Sequence, residues 1–188
     1  MFKVVLFIMS ISMLAFGHTN VGETSGFLHG FTHPVGGADH LLAMFAVGLF
    51  AAQAGGKSLI AIPLSFVVTM LIGGVFGING FEVGFVEEAV LASVVAIGAL
   101  AAFGVRLPII ASMAVIGFFA FFHGIAHGAE MPINSSGVYY ALGFAVATSL
   151  IHIAGIAFTL AISRIFNNKA SKVAGVAIVA SGVALSTM

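Results

Sequence analysis

Six apolar stretches, each about long enough to cross a bilayer, follow one another with only short polar interruptions, and that pattern sets the fold class. They run over residues 27–53, 58–78, 84–104, 107–130, 137–164 and 171–187. A transmembrane helix takes about 20 mostly apolar residues. Gly55-Gly56-Lys57, Asn79-Gly80 and Asn134-Ser135-Ser136-Gly137 punctuate the chain as short loops. The expectation is an all-α polytopic membrane protein, a single bundle of six transmembrane helices with no soluble domain. Composition supports the class. Charged residues make up 6% of the chain, against about 25% in soluble domains. The lipid bilayer is therefore the first partner. Net charge is zero and no basic run is present, which excludes nucleic acid as a partner. The chain has no cysteine, which removes disulfides, thiolate catalysis, iron–sulfur clusters and Cys-based zinc sites.

The first 17 residues read as a signal peptide preceding the six helices. Lys3 supplies the positive n-region, Val4 to Phe16 is a short apolar segment, and Ala15-Phe16-Gly17 places small residues at a cleavage site. Cleavage would leave residues 18–188 as one six-helix transmembrane domain with His18 at its start. That residue would then offer an α-amino group and an imidazole to an incoming cation.

Charge asymmetry gives an orientation. Lys57, Arg106, Arg164, Lys169 and Lys172 fall in alternate connections; Glu82, Glu87, Glu88 and Glu130 fall in the others, which hold no Lys or Arg. The positive-inside rule puts the basic connections in the cytoplasm. Both mature termini then face outside, as a cleaved signal peptide also requires, and the expected location is a bacterial inner membrane. Twenty-four glycines, clearest at Gly73-Gly74-Val75-Phe76-Gly77, read as packing positions where helix backbones approach closely. No phosphate-loop motif occurs, so no ATPase is encoded in the chain.

Ionisable groups at membrane depth are costly and by default mark ion or substrate pathways. In the fourth stretch, FHGIAHGAE places His123, His127 and Glu130 at i, i+4 and i+7, a narrow stripe on one helix face. In the first stretch, His29, His33 and His40 share a face of a regular helix, with Asp39 about 100° away. The helix is not expected to be regular, because HPVGGADH contains Pro34 and Gly36-Gly37. Unwound backbone at this depth must line a cavity or be buried in protein, so the break and the ligands account for each other. An alternative role for Asp39 is to cap the second half-helix. His152 stands alone in the fifth stretch. Ordered by depth from the outer surface, Glu130, His127 and His29 come first, then His33 and His123, then Asp39 and His40, then His152. A structural site needs one level, whereas a permeation path needs several. Imidazole with carboxylate suits Zn, Ni, Co, Cu(II) or Fe(II). The cation would be substrate, and no prosthetic group is called for.

At these residues the chain resembles the HupE/UreJ family of nickel/cobalt transporters. The resemblance lies in HGFTHPVGGADHLLAMFAVG, from His29 to Gly48, together with FHGIAHGAE. Size, signal peptide and six-helix layout extend it over essentially the whole chain. His33, Asp39 and His40 match the family's first motif, and His123, His127 and Glu130 its second. The resemblance implies secondary permeation of Ni²⁺ or Co²⁺ into the cytoplasm, serving metallocentre assembly in hydrogenase or urease, or cobalamin synthesis. Broader nickel/cobalt permeases have four residues between the His and the Asp-His pair, whereas five separate His33 from Asp39, so that kinship is an analogy. Two other readings compete. An intramembrane metal-dependent hydrolase would use bound Zn²⁺ to activate water, but the chain has no HEXXH motif. A non-transporting accessory protein for hydrogenase or urease metallation would leave metal uptake unaltered. Nickel versus cobalt, and monomer versus homo-oligomer, stay open at this level.

Overall fold

The computed structural model describes residues 26–133, 135–166 and 169–187. The proposed signal peptide and His18 lie outside the described residues. Seven α-helices make up the described part: α1 (Gly26–Gly36), α2 (Ala38–Ala54), α3 (Ser58–Ile78), α4 (Val86–Phe103), α5 (Ile109–Ala129), α6 (Gly137–Phe166) and α7 (Lys169–Leu185). Four of them, α3 to α6, are long and apolar enough to cross a membrane. The apolar face of α3 makes the point: Ile60, Leu64, Val68 and Ile72 recur at every fourth residue and all are exposed. Such a stripe suits contact with lipid. The chain is a membrane protein with an all-helical fold.

The expected six-span count is met in part. The first stretch is two helices, α1 and α2, bent by 85° and counting as one further span if the pair crosses together. The last stretch yields α7, of 17 residues, about 26 Å at 1.5 Å per residue. The bend does not fall at Pro34, which lies inside α1. It falls at Gly37, which is extended at φ −104° and ψ 123°. Proline removes one helical donor, but the helix continues until two consecutive glycines make an abrupt turn cheap. Gly37 also has a steric reason to lack a side chain. A Cβ there would lie 2.8 Å from the Asp39 carboxylate and 3.0 Å from the His40 ring.

The helix α2 that follows the bend is the centre of the bundle. Ala43, Met44 and the run from Ala46 to Ala51 are buried, and α2 packs on α3, α4, α6 and α7. Around it, α1 lies along α6, α4 along α7, and α3 along α5. The α3–α5 contact shows how small residues substitute for hydrophobic driving force in lipid. Gly73 and Gly77 face Gly124 and Gly128, and a Cβ on any of the four would overlap backbone of the opposite helix. This contact fixes the rotation of α5, and with it the direction of its two histidines.

Candidate metal centre

The α5 sequence repeats His-Gly: His123-Gly124, then His127-Gly128 one turn later. The glycines form the seam against α3, so the histidines, one residue earlier, emerge on an adjacent face of α5. There they meet α1 and α2. The 85° bend is what allows this. On a single straight helix His33 and His40 would lie about 10 Å apart along the axis. Across the bend, both rings reach His127, with ring centroids at 4.8 Å for His33 and 4.2 Å for His40. The His40 ring also lies 4.8 Å from that of His123.

Two three-ligand clusters result. His33, His127 and Glu130 form one, and His40, His123 and His127 form the other; in each, one donor atom per residue lies within 4.8 Å of the rest. His127 belongs to both. The first cluster opens outward: Glu130 has 56% of its side chain exposed and accepts a 2.8 Å hydrogen bond from Nε2 of His33. The second is enclosed, with His123 at 0% and His127 at 3% exposure. Phe144 closes one side of the pair, its ring 4.1 Å from that of His127.

The polar atoms at this junction are left unmatched. Buried polar groups in folded proteins nearly always have hydrogen-bond partners, and exceptions call for a reason. Among the described residues, Nε2 of His40, Nδ1 of His123 and both nitrogens of His127 are buried without one. Three imidazoles with open nitrogens facing one another fit a cation that accepts nitrogen lone pairs, and fit poorly any neutral occupant of a protein core.

Asp39 belongs to neither cluster. Its Oδ1 accepts from the His40 amide at 2.8 Å and from His40 Nδ1 at 2.8 Å. The first bond serves an otherwise unpaired amide in the opening turn of α2, close to the capping role considered from sequence, although the N-cap position itself is Gly37. The second fixes the ring: with Nδ1–H donating to the carboxylate, Nε2 carries the lone pair. Carboxylate–imidazole–metal arrays use this arrangement to orient and strengthen a ligand.

His152 lies deeper. It is 1% exposed and both its nitrogens are unpaired. Phe66 separates it from the clusters, its ring 5.4 Å from His123 and 5.0 Å from His152. His29 is exposed on α1 and joins neither cluster. Contacts thus run from Glu130, against His33 and His127, to His40 and His123, and through Phe66 to His152. The bend sets the His127 ring against those of both His33 and His40.

Sequence reading passed over Ser93 on α4. It is fully buried, 2.8 Å from His123 Nε2. The available signal was a lone hydroxyl in an otherwise apolar helix stretch, weak because serines at such positions commonly bond their own backbone. Phe66 and Phe144 gave no signal among 19 phenylalanines. An apolar cavity of about 370 Å³ between α3, α5 and α6 also touches His127. Its wall, formed by residues such as Met70, Leu71, Val75 and Phe144, offers a cation little.

Comparison with known proteins bears on these residues. The family described as HupE / UreJ protein matches residues 6–185. Protein HupE of Rhizobium leguminosarum bv. viciae is 37% identical over 184 residues, covering 97% of this chain and 96% of that relative. No solved structure matches.

Proposed function

This chain belongs to the HupE/UreJ family, and on that premise we propose that it is a secondary permease importing Ni²⁺ or Co²⁺ across the bacterial inner membrane. The supporting observation is the pair of three-ligand clusters that share His127, one open to the surface and one enclosed. A storage or structural site calls for one complete ligand set. Two incomplete sets with a common member suit an ion that must leave as readily as it enters. In this reading Glu130 and His33 capture the ion at the mouth. His127 then keeps hold of it while His33 and Glu130 are exchanged for His40 and His123. Asp39 supplies the negative charge beside the enclosed position. His152 would be the next stop, beyond Phe66.

The same proposal carries the six-span layout, with the α1–α2 pair and α7 completing the four longer helices. It places Lys57, Arg106 and Lys169 in the cytoplasm, both mature termini outside, and a cleaved leader ending at Gly17. His18 would then stand near the mouth as an auxiliary donor, and His29, exposed on α1, beside it. Cysteine introduced at Ser136 is expected to react with an impermeant maleimide in intact spheroplasts. Labelling only after lysis would reverse the orientation.

The function is tested by uptake into proteoliposomes that contain only this chain. Saturable entry of Ni²⁺ or Co²⁺, each competing with the other, is expected. Slowly exchanging stoichiometric zinc without uptake would favour a hydrolase, and no uptake at all an accessory role in metallation of a nickel or cobalt enzyme. In the same assay Glu130→Gln should raise the half-saturating metal concentration severalfold with little change in maximal rate. Glu130 is exposed and acts by concentrating cations at the entrance. A drop in maximal rate with unchanged half-saturation would contradict that role.

A further inference from the structure

Every titratable ring in the enclosed cluster must present a lone pair to a cation, and which nitrogen does so is decided by what the other nitrogen touches. For His40 that partner is Asp39. For His123 it is Ser93, and the hydrogen bonding around Ser93 leaves one consistent assignment. Its Oγ lies 2.6 Å from the Val90 carbonyl and 2.8 Å from Nε2 of His123. A carbonyl cannot donate, so a contact that short takes the single hydroxyl proton. The hydroxyl oxygen is then an acceptor toward the ring, and His123 Nε2 must carry the hydrogen. Nδ1, buried and without a partner, is left with the lone pair, and it is therefore the nitrogen of His123 able to serve the cluster with His40 and His127.

We propose that Ser93 is a positioning residue that fixes His123 as the Nε2–H tautomer and so aims Nδ1 at the transported cation. The inference rests on the permease reading of the site and adds a residue from a helix, α4, that contributes nothing else to it. Ser93 and Asp39 act as a complementary pair. One leaves Nε2 of His40 open and the other leaves Nδ1 of His123 open, so each of two rings from different helices offers one free nitrogen to the enclosed cluster. Ser93 is 0% exposed, so no water competes for its oxygen. Without the hydroxyl the His123 ring is free to populate both tautomers, and in one of them an N–H points at the cation position.

The test uses the full chain in nanodiscs. Long-range ¹H–¹⁵N correlation of the metal-free protein should show His123 as the Nε2–H form. In Ser93→Ala the spectrum should show mixed tautomers, and Ni²⁺ binding, followed by titration with the metal alone, should weaken about tenfold, the lower end of the loss for an outer partner of a ligating imidazole. Ser93→Thr keeps the hydroxyl and should keep both the tautomer and wild-type affinity. A Nδ1–H form in the wild type overturns the proposal without any variant. So does Ser93→Ala binding as tightly as wild type, or Ser93→Thr losing as much as Ser93→Ala, which would place the effect in packing. If the wild type itself binds no nickel, the permease reading fails instead, and the two failures are distinguishable.

Discussion

Asp39→Asn should reduce nickel or cobalt uptake to background while the protein inserts and accumulates at wild-type levels. The substitution preserves size and leaves a carbonyl oxygen that can still accept from the His40 amide. It removes the charge. In the proposed enclosed position the ligands would be neutral imidazoles, and Asp39, bonded to His40 at 2.8 Å, is the carboxylate placed to offset a divalent cation there. In the weak dielectric of a helix bundle that compensation is large. An amide can also turn its NH₂ toward His40 Nδ1, forcing the ring into the opposite tautomer and closing Nε2 to the metal. Loss of an outer carboxylate partner alone costs about 10- to 100-fold in metal affinity; loss of the charge adds to it. Insertion should, if anything, improve, because a charged group within the membrane is costly. Uptake measured against membrane protein level at several metal concentrations decides the matter. Near-normal uptake by Asp39→Asn would remove Asp39 from the mechanism.

His127→Ala is expected to be as severe, for a different reason. Each of the other ligands serves one cluster, whereas His127 serves both. Its removal reduces the outer set to His33 and Glu130 and the enclosed set to His40 and His123, so capture and hand-off fail together. His123→Ala should leave the outer cluster intact and therefore spare capture. Equilibrium binding separates the two: His123→Ala should retain weak surface binding of Ni²⁺, and His127→Ala should lose both phases. Equal residual binding in the two variants would argue that the clusters are independent sites. His152→Ala should be milder than either, since Phe66 lies between the rings of His123 and His152 and, among the described residues, His152 joins neither three-ligand cluster.

Much of this site was legible in the chain because its determinants are local. Apolar runs of membrane length, and the stripe of His123, His127 and Glu130 on one helix face, are properties of consecutive residues. So was the break in the first stretch, since Pro34 and Gly36-Gly37 weaken a helix wherever they occur. What the break does was not legible. Spacing along a regular helix sets His33 and His40 two turns apart. An 85° bend at Gly37 instead brings both to His127. Asp39 illustrates the same limit. Sequence identifies a carboxylate beside a histidine, but only the backbone around Gly37 shows its oxygen turned back onto His40. Ser93 lies 30 residues from His123 in sequence, and no pattern within α4 could announce the pairing. The last stretch gives α7, whose described length is 17 residues, a little under the usual membrane span.

Nickel K-edge X-ray absorption on the purified full chain, loaded with one equivalent of metal, examines the enclosed cluster directly. The expected spectrum has the multiple-scattering pattern of about three imidazole rings around one nickel, the set formed by His40, His123 and His127, and loses it in His127→Ala. An oxygen-only coordination shell with no imidazole scattering, unchanged by His127→Ala, would contradict the three-histidine position on which the proposed path depends.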